Sequence, residues 1–123
     1  MVDTAIKNEE EKKEYFDSEE ELEIKIDQLA EWINESKHFV AFTGAGISTG
    51  AGVADFRSGI NTILDTGPGL WEKGAQNISN FKPKVRVEMN RAYPTKCHMS
   101  LVKLMQNGIL KFLISQVIDL FNF

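Results

Sequence analysis

One cysteine, Cys97, stands among the 123 residues, which excludes an internal disulfide and leaves no set of thiolates for a structural zinc ion. No apolar run is long enough to cross a bilayer, and the N-terminus carries Asp3 and a Lys/Glu cluster where a secretory leader needs a basic segment and an apolar core. A basic excess is missing too. With a formal charge of −4 the chain lacks the broad positive field that nucleic acid or an anionic membrane demands. These absences lead us to expect an intracellular protein, of nucleus or cytoplasm, that touches neither nucleic acid nor membrane directly.

What remains is ordinary globular material, 42% hydrophobic and 26% charged, enough for one modest domain. Residues 1–14, with the run Glu9-Glu-Glu-Lys-Lys-Glu14, read as a flexible charged arm, and residues 15–123 as the domain. From Ser18 the pattern turns helical. Ser18 and Glu21 fit a capping box, and Leu22, Ile26, Leu29 and Ile33 form a stripe expected to pack inward.

The stretch from Phe39 to Arg57 organises the rest, because it reads as a strand, a glycine turn and a helix start. Phe39 to Phe42 are strand-forming and apolar, so the strand is expected to be buried. Gly44 and Gly46 then permit close backbone approach, and the N–H groups opening the helix suit an anion. A branched side chain at Gly46 is expected to crowd both the helix packing and an approaching phosphate. Ser48 and Thr49 bring hydroxyls to the same turn, and Asp55-Phe56-Arg57 places an acid, a ring and a guanidinium just beyond it.

Residues 58–69 read as a long loop of glycine, proline and small polar residues beside that turn, the usual place of a lid. Pro83 suits the first turn of a further helix. Thr95 is a candidate cap for a helix with Met99, Val102 and Met105 on one side and Gly108 at its end. Cys97 reads as a small packed side chain, His98 as structural and His38 as a strand-edge residue. Leu110 to Ser115 is a second apolar strand. A strand, helix and strand in that order give an α/β class with a parallel sheet, and parallel sheets bind ligands at their carboxyl ends, which sets Ser115 and Gln116 beside Gly44 to Ser48.

The motif Gly44-Ala-Gly-Ile-Ser48 followed by Gly52-Val-Ala-Asp-Phe-Arg57 resembles the sirtuin signature, with Val53 and Ala54 departing from its Ile-Pro. Tyr15-Phe16-Asp17 resembles the lead-in of the nuclear, chromatin-associated branch, Leu70-Trp71-Glu72 the aromatic close of the family's cofactor loop, and Pro94-Thr-Lys-Cys-His98 its Pro-Thr-x-x-His motif. The likeness runs from Tyr15 to Gln116. Beyond it the family's Asn-x-Asp-Gly-Leu-His is replaced by Val117-Ile-Asp-Leu-Phe-Asn122, in which Asp119 alone matches.

This resemblance implies a Rossmann-like domain that binds NAD and is related to NAD-dependent protein deacetylases acting on acylated lysine. It assigns Gly44, Ala45, Gly46, Ser48, Thr49, Asp55, Phe56, Arg57, Trp71 and Gln116 to the cofactor, with Asp55 supporting the loop and Trp71 either stacking near the cofactor or anchoring a short helix. It also implies that the family's general-base histidine and zinc module belong to later segments. The chain is therefore expected to be a truncated front half, with no catalytic residue or metal ligand of its own and no deacylase activity alone. A second reading is a non-catalytic interaction module whose helix from Ser18 to Ile33 and exposed tail bind a partner such as a full-length sirtuin, and a third is an incomplete product of a full-length sirtuin gene with no separate function. The apolar tail Val117 to Phe123 is expected to favour self-association.

Overall fold

The computed structural model describes residues 8, 10, 11, 13–78 and 80–117. The first regular element is helix α1 (Glu19–Glu35). Its start is the capping box anticipated from the sequence: the Ser18 hydroxyl accepts from the Glu21 N–H at 3.3 Å, and the Glu21 carboxylate accepts from the Ser18 N–H at 2.9 Å. That backbone bond, followed by the bond from the Ser18 hydroxyl, holds the Glu21 carboxyl below its ordinary value of 4.5.

The inward packing expected of α1 is not met. It has no buried residue, and Leu22, Ile26 and Leu29 are each about half exposed. The stripe exists, but no described element offers a surface that covers it.

Strands β1 (Phe39–Thr43) and β2 (Leu110–Ser115) pair in parallel as the whole of one sheet. The register runs from Val40↔Phe112 to Thr43↔Ser115, after an irregularity that leaves Phe39 opposite Leu110. Burial of β1 is one-sided and not complete as expected, because side chains alternate across a strand. Val40 and Phe42, with Phe112 and Ile114, stand on an exposed face, while Ala41, Thr43, Leu113 and Ser115 are buried or half-buried. Leu110 is the buried hydrophobic side chain among the described residues.

Between the strands the chain forms a 3-10 helix at Ala45–Ala51, helix α2 (Leu70–Ala75), a short 3-10 turn at Met89–Arg91 and helix α3 (Lys96–Gln106). The helix after the glycine turn is thus 3-10 in type, and it ends at Gly52, whose φ of 84° is the left-handed cap that glycine supplies. No helix begins at Pro83, and residues 83–88 form neither helix nor strand. The N–H groups of Val85 and Val87 bond the carbonyls of Asp65 and Gly52 at 3.0 and 3.1 Å, so these valines serve a loop and not a helix.

Helix α3 is capped by Thr95 as expected and followed by Gly108 at φ 68°. His98 is buried at its start, the structural role read for it, and His38 is exposed just before β1. Cys97 departs from expectation: it is exposed, because α3 turns its neighbour His98 inward. Most of the charged arm, and the tail from residue 118 on which self-association was expected, lie outside the described residues. No helix of the described chain is long and apolar enough to cross a membrane.

Helix α2 takes its cap from the backbone of a distant loop. The N–H groups of Gly69, Leu70 and Trp71 donate to the carbonyls of Ser58, Asp55 and Phe56 at 2.9, 3.0 and 2.9 Å. This approach is so close that a β-carbon on Gly69 would collide with the backbone of Phe56 and Arg57, and backbone cannot swing aside. At Gly46, by contrast, a β-carbon meets nothing within 4 Å, so the packing half of the expectation for Gly46 is not met.

Two measurements test these assignments. Urea unfolding of Gly69→Ala should show a loss of about 3 kcal/mol, whereas Gly46→Ala should leave stability unchanged or raise it by up to about 1 kcal/mol. Equal losses in both would refute the clamp. Because the Glu21 value is lowered by folding, its contribution is present above 4.5 and lost as pH falls through the folded value. Helical circular dichroism of the wild type should therefore drop further than that of Glu21→Gln on acidification, and parallel curves would contradict the capping box.

Candidate functional site

At the carboxyl end of the sheet a cavity of about 390 Å³ is lined by Ala45, Gly46, Asp55, Phe56, Arg57, Trp71, Gln116 and Val117. Three separate pieces of chain converge there. The glycine turn supplies Ala45 and Gly46, whose N–H groups precede the first hydrogen bond of the 3-10 helix, from Ile47 N–H to the Gly44 carbonyl at 3.2 Å. The clamp between residues 55–58 and the start of α2 brings Phe56 and Arg57 to Trp71. The end of β2 supplies Gln116, whose N–H continues the ladder by donating to the Thr43 carbonyl at 3.1 Å.

The aromatic pair and the cation form one stack. Phe56 and Trp71 have ring centroids 5.1 Å apart at 39°, and the Arg57 guanidinium lies 5.4 Å from the Trp71 ring centroid. Trp71 is 42% exposed, so it is a wall of the cavity and not an anchor in a core. The indole face attracts the guanidinium charge while its N–H groups stay available to an anion, and no carboxylate of the described residues pairs with Arg57. Asp55 faces back into its own loop, where its carboxylate accepts from the Ser58 N–H at 3.2 Å and from the Ser58 hydroxyl. Its charge is thereby spent on shaping the turn that carries Phe56 and Arg57.

The remaining sequence candidates lie around this cavity without lining it. Gly44 sits against Gln116, so closely that a β-carbon would fall 2.7 Å from the Gln116 amide nitrogen. Thr49 donates its hydroxyl to the Gly46 carbonyl at 2.9 Å and steadies the turn from behind. Ser48 is buried and lines a neighbouring cavity of about 680 Å³, which shares Ala45, Phe56, Gln116 and Val117 with the first and continues past Thr66, Phe81 and Val87. The Thr66 hydroxyl there is buried without a hydrogen-bond partner, a state costing about 1–3 kcal/mol that a ligand's polar group would relieve.

Sequence reasoning missed Thr66, Val117 and Gly69. Val117 looked only like a lost motif residue, and the need for glycine at 69 arises from a contact with residues 56 and 57 that no local pattern announces. Neither His38 nor His98 lines either cavity, and no cluster of potential metal ligands occurs among the described residues.

If Gln116 is seated against Gly44, the two must be coupled. Gly44→Ala should cost about 1 kcal/mol by forcing the glutamine side chain off its rotamer, and adding Gln116→Ala should recover most of that loss in urea unfolding. Additive losses would show that the two do not touch.

No protein-family model matches the chain. Against curated proteins it is 46% identical over 107 residues to the NAD-dependent protein deacetylase SRT1 of Arabidopsis thaliana, covering 86% of this chain and 20% of that protein. It is 44% identical over 110 residues to the NAD-dependent protein deacetylase Sirt6 of Drosophila melanogaster, covering 86% and 30%. With the NAD-dependent protein deacetylase sirtuin-7 of Mus musculus it shares 32% over 108 residues, covering 86% and 23%. The chain thus spans less than a third of the length of these relatives.

Proposed function

The chain belongs to the sirtuin family, and from that premise we propose that it is a Rossmann-like portion of an intracellular, NAD-dependent protein deacetylase whose described residues build the anion- and amide-binding side of the NAD site. The observation that carries the reading is the convergence of Arg57, stacked on Trp71, with Gln116 and the Ala45–Gly46 backbone in one cavity.

These residues fit NAD by the chemistry of their donors. Arg57 and the N–H groups of Ala45 and Gly46 suit an anionic pyrophosphate. The Gln116 amide can both donate and accept toward ribose hydroxyls or a carboxamide, and Phe56 with Trp71 gives an apolar wall that excludes water from one side. Gly44 matters because its bare Cα leaves room for the Gln116 side chain. Ser48 and Thr66 extend the polar lining into the adjoining cavity. When bound, NAD would supply the ribose carbon that exchanges its bond to nicotinamide for one to the acetyl oxygen, so that nicotinamide departs and the acetyl group passes from lysine to the ADP-ribose.

Protein acylated on lysine is the partner this reading implies. The chain's own part is binding and orientation. A general base contributes a factor of about 10²–10⁴, and neither histidine of the 123 residues reaches the cavity. The 123-residue chain alone is therefore expected to hold NAD without consuming it.

Titration calorimetry with NAD on this chain and on Arg57→Ala tests both halves. Wild type should bind, and the variant should bind at least about tenfold more weakly through loss of a charge-assisted contact. No heat and no thermal shift with millimolar NAD would overturn the NAD reading. Nicotinamide release with an acetyl-lysine peptide, abolished by Arg57→Ala, would overturn the claim that this chain only binds.

A further inference from the structure

The 3-10 run Ala45–Ala51 is seven residues long. Runs beyond three or four residues are uncommon, because the hydrogen bonds are poorly aligned and side chains eclipse every third position. Such a run needs an outside hold, and Thr95 provides one. Its hydroxyl donates to the Ile47 carbonyl at 2.9 Å, across 48 residues of sequence, and its methyl lies 3.5 Å from where a β-carbon on Gly50 would sit.

The Ile47 peptide is consequently fixed at both ends. Its N–H closes the first bond of the run onto Gly44, and its carbonyl is tied to Thr95. Ala45 and Gly46, which line the 390 Å³ cavity, lie between Gly44 and Ile47, the residues that the first of those bonds joins. Thr95 is itself oriented by a side chain 1% exposed: its N–H donates to His98 Nδ1 at 3.1 Å, its hydroxyl oxygen accepts from the His98 N–H at 3.4 Å, and that oxygen lies 2.8 Å from Nδ1.

We infer that Thr95 is a positioning residue for the cavity: its hydroxyl, oriented by His98, latches the Ala45–Ala51 run and so sets the backbone that a ligand meets, while Thr95 itself lines no part of the cavity. The consequence for NAD rests on the function proposed above. The latch does not.

Thr95 also caps α3, so the test must separate cap from latch. Aspartate caps a helix as well as threonine does, but its carboxylate has no proton to give the Ile47 carbonyl. Serine keeps both roles and valine neither. Amide hydrogen exchange on the 123-residue chain should show residues 45–51 exchanging about tenfold faster in Thr95→Asp and Thr95→Val, the scale of one lost hydrogen bond, and at the wild-type rate in Thr95→Ser. Residues 96–106 should speed up in Thr95→Val alone. The NAD dissociation constant should rise about tenfold in the aspartate and valine variants and return with serine. Wild-type exchange at 45–51 in Thr95→Asp would overturn the inference, as would faster exchange of that run in Thr95→Ser. A wild type that binds no NAD defeats the NAD reading alone, because the exchange comparison still decides the latch.

Discussion

The parallel register Thr43↔Ser115 is the constraint on which the site depends. It ends both strands at the same level, so the glycine turn leaving β1 and Gln116 leaving β2 emerge side by side, and the bond from Gln116 N–H to the Thr43 carbonyl carries the ladder one step past the strands. A slip of one residue would move Gln116 by about 3.3 Å and turn its side chain to the opposite face. Gly44 would then lose its neighbour. Two features hold the register at the other end: buried Leu110 opens β2, and the irregularity between Phe39 and Val40 absorbs the one extra residue there.

A second constraint brings the charged half of the site to the sheet. Residues 55–58 have no regular structure of their own, yet Arg57 is placed by three backbone bonds onto the start of α2 and by the Asp55 carboxylate closing its turn on Ser58. The N–H groups of Gly69, Leu70 and Trp71 each find a carbonyl in that loop, so the same bonds satisfy part of the helix end and place Arg57. Glycine at 69 is the steric condition for it. The cavity wall is therefore built from main chain, and its side chains, Phe56, Arg57 and Trp71, need only stack on one another.

Much of this was legible in the sequence, and the reason divides by range. Caps and turns are local, so Ser18 with Glu21, Thr95 at the head of α3 and Gly108 at its end all lie where the residue types put them. The two apolar runs Phe39–Phe42 and Leu110–Ile114 gave the parallel pair, and its carboxyl end gave the neighbourhood of Gln116. What failed depends on distant partners. The stripe on α1 promised a buried face that no described element covers, alternation along β1 made one face wet, and the valines after Pro83 were claimed by Asp65 and Gly52 before they could form a helix. The tie from Thr95 to Ile47 spans 48 residues, and nothing near either residue signals it.

A fold with so little apolar interior relies on ties of this kind. Leu110 is the buried hydrophobic side chain of the described chain, while Val40, Phe42, Phe112 and Ile114 face solvent. Hydrophobic burial, ordinarily the dominant favourable contribution to folding, is thus a small part of what holds the cavity open. Single hydrogen bonds worth about 1 kcal/mol each carry a correspondingly larger share, and the orphaned Thr66 hydroxyl subtracts from them. A ligand at one hundred times its dissociation constant adds about 2.7 kcal/mol to the folded state, more than one such tie supplies. The Ala45–Ala51 run, the Arg57 loop and Gln116 border the cavity from three directions, so a ligand there would stabilise the contacts between them as well as its own. The glycine turn would gain most, because its 3-10 hydrogen bonds are the poorest of the three.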